Sequence, residues 1–305
     1  MRVLITGATG FLGYHIVNRC VERGHEVMCL RRKTSVSIFD ENVEKRIVWI
    51  DIDTPQDWSK VNRFSPEILI HAAWGGVSAD GRNDSEIQKA NVDMTDRIMK
   101  MCPYKQIIML GSQDEYGQIN SVVDESYPLS PISEYAKAKN RCCEQLKTYC
   151  ESNNIEWQWI RIFSIYGEKQ QQKWLIPSTI RKCIEGGTME ATLGEQVYSY
   201  LYVSDFAYAI ESVIGQKGKS GVYNISSSVP VSIKELQEEI KQLTGSDIQY
   251  VRNLPYRPNQ SMVIVGNSTR FIEAFGAFEH TTLRQGLQKV IEHIKSEGVR
   301  SKTKG

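Results

Sequence analysis

A tyrosine and a lysine four residues apart are the residues best suited to proton transfer in this sequence. Tyr135 and Lys139 lie early in a helix predicted to start near Ser133. Residues at i and i+4 share a helix face, so the phenol and the ammonium point to the same side. A phenol has a pKa of about 10, and a nearby cation lowers it toward neutral pH. The pair indicates general acid–base chemistry, although a solvated lysine beside a half-buried tyrosine is the simpler interpretation of such a pair alone.

A serine that follows a strand-like segment favours the catalytic interpretation. Ser112 comes directly after the segment 106–110 and its following glycine. In a doubly wound sheet, the carboxyl ends of the strands face the ligand crevice, where a hydroxyl can hold a substrate oxygen. We therefore predict that Ser112, Tyr135 and Lys139 are the catalytic residues.

A glycine-rich turn near the start of the chain predicts a dinucleotide site. Gly7, Gly10 and Gly13 follow the strand-like segment 2–6 and lead into a predicted helix over 13–23. Glycine permits a tight turn and a close approach to a ligand, and a helix N-terminus suits a pyrophosphate. The spacing is Gly-x-x-Gly-x-x-Gly rather than the commoner Gly-x-Gly-x-x-Gly, and its place between a strand and a helix makes it more specific than a lone triplet.

Three cations after the second predicted strand bear on the choice of cofactor. The segment 26–30 is followed by Arg31, Arg32 and Lys33, and no carboxylate comes before Asp40. An acidic residue about 20 positions after the glycine turn would hold the ribose 2′-hydroxyl of NAD. The cations instead suit a 2′-phosphate, so NADP(H) is favoured over NAD(H). An ordinary solvated run of charges is the simpler alternative.

Alternating strands and helices must position these residues. Strand-like and helix-length segments alternate through the first half, which predicts βαβ units and a doubly wound parallel α/β sheet of the Rossmann type. The predicted strands are 2–6, 26–30, 47–50, 67–71, 106–110 and 157–162, and the predicted helices are 13–23, 86–101 and 133–152.

The pattern changes after residue 167 and predicts a smaller mixed α/β region. We expect a polar loop at 168–173, a helix after Pro177, a strand at 197–203, a helix at 205–214, a strand at 221–225, a capped helix from Ser232 to Leu243, mixed loops and short strands over 245–275, and a last helix at 282–297. The predicted cofactor-binding domain is 1–167 with roughly 197–226. The predicted substrate-binding domain is 168–196 with 227–295, and 296–305 is a predicted flexible tail.

Composition argues against several classes of protein. The 305 residues are 41% hydrophobic, enough for one large core or two smaller ones. The formal net charge of +1 gives no electrostatic signal for nucleic acid or a membrane surface. No apolar run reaches the roughly 18 residues of a membrane span, and the first run is too short for a secretory signal. Seven cysteines without a Cys-x-x-Cys pair predict reduced thiols, no metal site and a cytoplasmic protein.

Taken in chain order, these motifs resemble those of the extended short-chain dehydrogenase/reductase family that acts on nucleotide sugars. The resemblance runs from residue 1 to about 294 and includes the glycine turn and the serine, tyrosine and lysine. Its other matching segments are Asp51-Ile52, His71-Ala72-Ala73, Asn91, 161–167, 223–226 and Arg257-Pro258.

The resemblance implies a set of site residues and no metal. The implied cofactor-binding residues are Gly7, Gly10, Phe11, Leu12, Gly13, Arg31, Arg32, Lys33, Asp51, Ile52, Ala72, Ala73, Asn91 and Lys139. The implied substrate-binding residues are Trp74, Gln113, Asp114, Ser164, Tyr198 and Arg257.

Two departures from the family pattern affect the substrate contacts. Ser164 stands where many members have an asparagine, and Tyr198 replaces an arginine that commonly grips a diphosphate. Arg257 becomes the candidate for that phosphate contact, a role suited to a forked cation. A surface charge in a loop is the alternative.

The family includes several reactions, and the sequence favours one of them. Epimerases and dehydratases usually keep NAD, whereas a net reductase consumes NADPH. Dehydratases also tend to carry an Asp-Glu pair where Gln113 and Asp114 stand here. We therefore predict an NADPH-dependent reductase of a nucleotide-linked 4-keto-6-deoxy sugar. An NAD-retaining epimerase or 4,6-dehydratase is the alternative, and a non-catalytic dinucleotide-binding protein is a remote one.

The resemblance also implies a homodimer. The helix at 86–101 and the helix beginning near Ser133 match the pair that forms a four-helix interface in this family. Apolar residues of the first helix would lie in that interface, or would pack within the monomer. They are Ile87, Ala90, Met94, Ile98 and Met101.

Overall fold

A seven-stranded parallel sheet forms the centre of the chain. The computed structural model describes residues 1–54, 58–258 and 260–302. In chain order the strands of this sheet are β1 (Arg2–Thr6), β2 (Glu26–Arg31), β3 (Ile47–Asp51), β4 (Ile68–His71), β5 (Gln106–Ser112), β7 (Glu156–Ile162) and β11 (Gly221–Ile225). Their spatial order is β11-β7-β5-β4-β1-β2-β3. The predicted doubly wound α/β fold is confirmed.

The sheet order places a crevice beside the first strand. β1 pairs with β2 on one side and with β4 on the other, so the chain reverses its direction across the sheet here. Ligands of open α/β sheets bind outside the carboxyl ends of the strands at such a point. Thr6 and His71 lie opposite each other at these ends.

Helices cover both faces of the sheet. The helices are α1 (Phe11–Glu22), α2 (Glu41–Glu44), α3 (Trp58–Phe64), α4 (Ala79–Arg82), α5 (Ser85–Met99), α6 (Glu134–Asn153), α7 (Leu175–Glu185), α8 (Val203–Val213), α9 (Ile233–Thr244), α10 (Thr269–Phe275) and α11 (Leu283–Lys302). Successive strand side chains point to opposite faces. Val3 and Ile5 therefore pack in the core under α1 and α8, and Leu4 packs in the core under α5 and α6.

A second, mixed sheet lies in the later part of the chain. It contains β6 (Asn120–Val123), β8 (Ser164–Tyr166), β10 (Val197–Tyr202), β12 (Pro230–Ser232) and β14 (Val263–Gly266), and β10 is antiparallel to β12 and parallel to β8 and β14. A small parallel pair joins β9 (Thr188–Glu190) to β13 (Gln249–Val251). β10 thus lies outside the central sheet, although its residues fall in the stretch predicted to complete the cofactor-binding domain. The division into two domains stays a prediction.

Local sequence chemistry explains most helix boundaries. Ser232 and Glu235 form the predicted capping box of α9, with hydrogen bonds of 3.1 and 2.9 Å to each other's backbone N–H. α7 begins before Pro177, which is tolerated in the first turn because its missing N–H has no helical acceptor there. α10 forms where loops and short strands were expected.

The end of the chain differs from the prediction in the part that the structure describes. α11 continues through Lys302, into the segment predicted to be a flexible tail, and 303–305 lie outside the described residues. None of the helices described is both long and apolar enough to cross a bilayer.

One buried carboxylate ties α8 to the segment before α11. Asp205 is 4% exposed and accepts hydrogen bonds from His280 N at 3.0 Å, Thr281 N at 2.7 Å and Thr281 Oγ1 at 3.0 Å. We expect Asp205→Ala to lower the free energy of unfolding by about 3 kcal/mol, because the donors lose a charged acceptor. Urea unfolding measures this change.

A carboxylate on the surface provides the control for this experiment. Glu41 is exposed and pairs across one helical turn with Lys45. Its substitution by alanine should change stability by no more than about 0.5 kcal/mol. Equal losses in the two variants would contradict the assigned role of Asp205.

Candidate active site

The glycine turn is closed by direct contact between backbone segments. A Cβ on Gly13 would lie 2.0 Å from the Gly7 carbonyl oxygen, so only glycine fits where α1 packs on the turn. Gly7 has φ +73°, and a Cβ there would lie 2.7 Å from Ala73 N. Gly10 is the N-cap of α1 and provides no side-chain cap. The N-terminus of α1 is therefore suited to phosphate oxygens.

A cleft of about 310 Å³ opens in front of this turn. Its lining includes many residues predicted to bind cofactor: Gly7, Gly10, Arg31, Arg32, Ile52, Ala72, Ala73 and Asn91. Trp74, predicted to bind substrate, also lines it. The other residues implied to bind cofactor lie outside this lining: Phe11, Leu12, Gly13, Lys33, Asp51 and Lys139.

The two charged residues at the ends of β2 and β3 bind each other. Arg31 Nε lies 3.0 Å from Asp51 Oδ1, and the guanidinium lies 4.8 Å from the Trp49 ring centre. Asp51, an implied cofactor-binding residue, thus forms an ion pair with a predicted phosphate-binding cation. Arg32 and Ser35 line the cleft beside Arg31. The glycine cradle, helix N-terminus and these side chains together fit a dinucleotide.

A buried polar network fixes the segment after β4. His71 Nδ1 lies 2.8 Å from Thr6 Oγ1, and the same hydroxyl accepts a hydrogen bond from Ala73 N. Burial lowers the pKa of His71 to about 3, so its ring is neutral. Asn91 accepts from Gly75 N and donates to Gly75 O, both at 2.9 Å. Its amide therefore holds the cleft wall in place.

The three predicted catalytic side chains come from β5 and the first turns of α6. Ser112 ends β5 and accepts a hydrogen bond from Asp114 N at 3.2 Å, whereas Tyr135 and Lys139 lie on the buried face of α6. Burial raises the pKa of the Tyr135 phenol, and a hydrogen bond with Ser112 acts in the opposite direction. The fold thus brings a serine more than 20 residues away along the chain into contact with the tyrosine.

Lys139 has different neighbours from those that its helix position predicts. Its Nζ donates to Leu110 O at 2.6 Å and lies 3.7 Å from the Trp74 ring centre. The distance from Nζ to the Tyr135 ring centre is 5.9 Å. Burial lowers the pKa of Lys139 to about 8. The ammonium is therefore held against Trp74 at the edge of the first cleft.

An arginine that the sequence did not identify lies over the ring of Tyr135, the predicted catalytic tyrosine. Arg82 Cζ is 4.7 Å from the Tyr135 ring centre, and its guanidinium forms an ion pair with Asp114. Asp114 was predicted to bind substrate. Arg82 ends a four-residue helix in an irregular segment, and no motif or periodicity in the sequence points to it.

A second acid after Ser112 is buried in the structural core. Glu115 is fully buried and accepts hydrogen bonds from Ser112 N at 2.8 Å, Trp159 Nε1 at 3.0 Å and Arg161 Nε at 2.8 Å. Arg161 is 4% exposed in β7. A cation within the apolar run 157–162 was a usable signal, because a buried charge requires a partner.

A smaller cleft of about 220 Å³ is lined in part by the turn that follows Ser112. Its lining includes the polar residues Arg82, Gln113 and Asp114 and the apolar residues Ile119, Ile132 and Ile264. The predicted substrate residues Ser164, Tyr198 and Arg257 lie outside this lining. Tyr198 donates to Ser261 O at 3.0 Å, and Ser261 does line the cleft. Ser164 pairs with Tyr200 in the second sheet, and Arg257 is exposed.

Comparison with known proteins agrees with this geometry. Residues 3–226 match the model of the NAD dependent epimerase/dehydratase family. The chain belongs to this family. It is an NAD(P)-dependent enzyme of the extended short-chain dehydrogenase/reductase type.

Individual relatives of the enzyme carry out different reactions. A putative UDP-glucose 4-epimerase of Methanocaldococcus jannaschii is 25% identical, covering 96% of this chain and 98% of the relative. The dTDP-6-deoxy-L-talose 4-dehydrogenase (NAD(+)) of Aggregatibacter actinomycetemcomitans is 26% identical, covering 87% of this chain and 99% of the relative. The structure of the UDP-glucose 4-epimerase of Thermus thermophilus in complex with NAD superposes with a TM-score of 0.83 at 21% identity, covering 97% and 99% of the two chains.

The buried ion pair leads to a prediction about stability. Glu115→Gln keeps the shape of the side chain but leaves the Arg161 guanidinium buried without a negative partner. We expect the free energy of unfolding to fall by about 3–5 kcal/mol. Chemical denaturation measures this change.

A matched acid on α6 supplies the control for this substitution. Glu134 forms an exposed ion pair with Lys137, so Glu134→Gln should cost no more than about 1 kcal/mol. Wild-type stability in Glu115→Gln would show that Arg161 does not need the carboxylate.

Proposed function

We propose that this enzyme is an NADPH-dependent reductase of a nucleotide-linked 4-keto-6-deoxy sugar in deoxysugar biosynthesis. The observation that carries the proposal is the cation-rich end of β2, where Arg31, Arg32 and Ser35 line the dinucleotide cleft. A 2′-phosphate is recognised by such groups, and a net reductase consumes its reduced cofactor at every turnover. The relative named a 4-dehydrogenase supports net redox chemistry on a 6-deoxy sugar.

Residues of the first cleft would hold the cofactor. Gly7 and Gly10 leave room for the pyrophosphate at the N-terminus of α1. Arg32 would pair with the 2′-phosphate, and Arg31 would share its charge between that phosphate and Asp51. When bound, the dinucleotide supplies or accepts hydride.

Residues between the two clefts would handle the proton. In the proposed reduction, Tyr135 gives its phenolic proton to the oxygen of the former ketone, and Ser112 holds that oxygen by a hydrogen bond. Lys139, buried at the edge of the first cleft, would bind the nicotinamide ribose. The close contact between Ser112 and Tyr135 supports this division of roles.

The second cleft has a composition that suits a deoxygenated sugar. Gln113 and Asp114 offer hydrogen-bonding groups for hydroxyls, while Ile119, Ile132 and Ile264 provide an apolar wall for a methyl group.

Three residues outside the lining of this cleft remain proposed substrate contacts. Arg257 would contact the nucleotide phosphates, Ser164 would contact the sugar, and Tyr198 would contact another part of the substrate. Burial raises the pKa of Tyr198, while its hydrogen bond with Gln260 and the charge of Arg257 act in the opposite direction.

A 4-epimerase that retains NAD is the second candidate. The similarity to a putative UDP-glucose 4-epimerase over 96% of this chain favours it directly. Such an enzyme would use the same serine, tyrosine and lysine and would release no oxidised cofactor. A 4,6-dehydratase fits less well, because Gln113 stands where its acid would be.

We also propose a homodimer located in the cytoplasm. α5 and α6 pack against each other, as in the expected interface. Ile98 is buried within the chain and Met94 lines the first cleft, so these two residues pack within the monomer. Ile87 and Ala90 are exposed and could contact a second copy.

A panel of substrates tests the reductase proposal. We expect NADPH oxidation with at least one of the UDP-, dTDP-, GDP- and CDP-linked 4-keto-6-deoxy sugars, followed by absorbance. Tyr135→Phe should lower kcat by about 100-fold or more and leave NADPH binding unchanged, because only the proton donor is removed. Tyr149 lies near the C-terminal end of the same helix, so Tyr149→Phe should retain activity. NAD that copurifies with the protein, with no NADPH oxidation on any sugar, would favour the epimerase.

The choice of cofactor has its own test. Arg32→Ala should raise the KM for NADPH by about 10- to 100-fold, as expected for a lost charge-assisted contact, and leave the KM for NADH nearly unchanged. Lys45→Ala removes an exposed cation that pairs with Glu41 on α2 and serves as the control. An equal effect of Arg32→Ala on both cofactors would contradict a phosphate contact.

A further inference from the structure

Tyr135 has two cationic neighbours, and the arginine is the one that covers its ring. Arg82 Cζ lies 4.7 Å from the ring centre, whereas Lys139 Nζ lies 5.9 Å away. Lys139 Nζ also donates to Leu110 O at 2.6 Å and rests 3.7 Å from the Trp74 ring centre. The lysine is thus committed to other partners, and Arg82 is the cation in contact with the phenol ring.

Two contacts hold Arg82 in this position. Nη1 donates to Val77 O at 3.1 Å, and Nη2 pairs with the Asp114 carboxylate. The side chains of the pair are only 29% and 27% exposed, so the pair is less screened by water than a surface ion pair. Asp114 belongs to the short turn that starts after Ser112. The arginine therefore connects α4 to the turn that carries the catalytic serine.

We propose that Arg82 is a positioning residue for proton transfer, which holds the Tyr135 ring and stabilises the deprotonated phenol, and that Asp114 limits this effect by pairing with it. A guanidinium over an aromatic face is attracted by the ring, and more strongly once the ring carries a negative charge. Arginine keeps its charge throughout the working pH range. This inference rests on the proposed function only in taking Tyr135 as the group that transfers the proton.

The other groups around the phenol agree with this assignment. Burial has the largest effect on the pKa of Tyr135 and raises it, and the hydrogen bond with Ser112 lowers it. Among charged neighbours, Asp114 and Glu115 raise this pKa and Arg82 lowers it. Burial lowers the pKa of Lys139 itself to about 8, so the lysine loses charge in mildly alkaline solution while the arginine does not.

Opposite substitutions in the pair provide the test. The ζ-carbon NMR signal of Tyr135 is recorded in tyrosine-labelled protein with saturating NADP⁺, assigned by its absence in Tyr135→Phe, and followed against pH. We expect Arg82→Gln to move the titration upward by about one pH unit, because a stabilising cation is lost. Asp114→Asn should move it downward, because a negative charge is lost. Arg82→Lys should restore part of the wild-type value.

A second arginine–tyrosine pair provides the matched control. Arg252 lies 5.2 Å over the Tyr250 ring and 3.7 Å from Glu238, a similar arginine, tyrosine and acid at a distance from the catalytic residues. Arg252→Gln should leave the Tyr135 titration unchanged. The proposal would be overturned if Tyr135 titrated at the same pH in Arg82→Gln as in Arg252→Gln. It would also be overturned if Arg82→Gln and Asp114→Asn shifted the titration in the same direction.

Turnover gives an independent measurement. With a sugar that the wild type reduces, Arg82→Gln should lower kcat by about 10-fold at unchanged KM for NADPH, and the alkaline limb of kcat should follow the NMR titration. If no sugar of the panel is reduced but Arg82→Gln and Asp114→Asn shift the Tyr135 titration in opposite directions, the reductase is rejected and the role of Arg82 is retained. If a sugar is reduced but kcat and the Tyr135 titration are unchanged in Arg82→Gln, the reductase is retained and the role of Arg82 is rejected.

Discussion

The buried contact between Glu115 and Arg161 is the interaction on which the geometry of the site depends. It places one full charge of each sign beneath the carboxyl ends of β5 and β7, where an unpaired charge would be costly. The same carboxylate accepts the backbone N–H of Ser112, and Trp159 donates to it as well. A single buried group therefore orients the turn after β5, and through that turn the side chains of Ser112 and Asp114.

Tyr135 contacts one lining residue of each cleft: its ring centre lies 6.0 Å from that of Trp74 in the first and 4.7 Å from Arg82 Cζ in the second. Cations at the end of β2 line the first cleft and suit a phosphorylated cofactor. Arg82 and Lys139 lie near the phenol itself, one over its ring and one held against Trp74. Because Asp114 pairs with Arg82, the charge near Tyr135 is partly balanced, whereas Arg31 and Arg32 leave the far end of the first cleft rich in cations.

Similar proteins share this framework and differ in their reactions. The family assignment follows from residues 3–226, and the relatives include an epimerase and a 4-dehydrogenase by name. A fold of this kind fixes where a dinucleotide and a serine, tyrosine and lysine set lie, while net reaction and substrate depend on side chains around them. In this chain we propose that those side chains are Arg32 for the cofactor and Arg82 with Asp114 for the sugar.

Local order in the chain was enough to predict the strands of the central sheet and most of the helices. Strand and helix periodicities and the glycine spacing act over a few residues, so they can be read directly from the sequence. The position of β10 in the second sheet could not be read, because a short strand pairs with partners far along the chain.

The same holds for the site: Tyr135 and Lys139 share a helix face, as their spacing requires, but Lys139 turns to Leu110 O and Trp74. Arg82 reaches the phenol only because the tertiary structure brings α4 against the turn after Ser112, and Glu115 becomes a core residue because Arg161 lies buried beside it. Such contacts between distant segments are decided by packing and by the cost of leaving a charge unpaired.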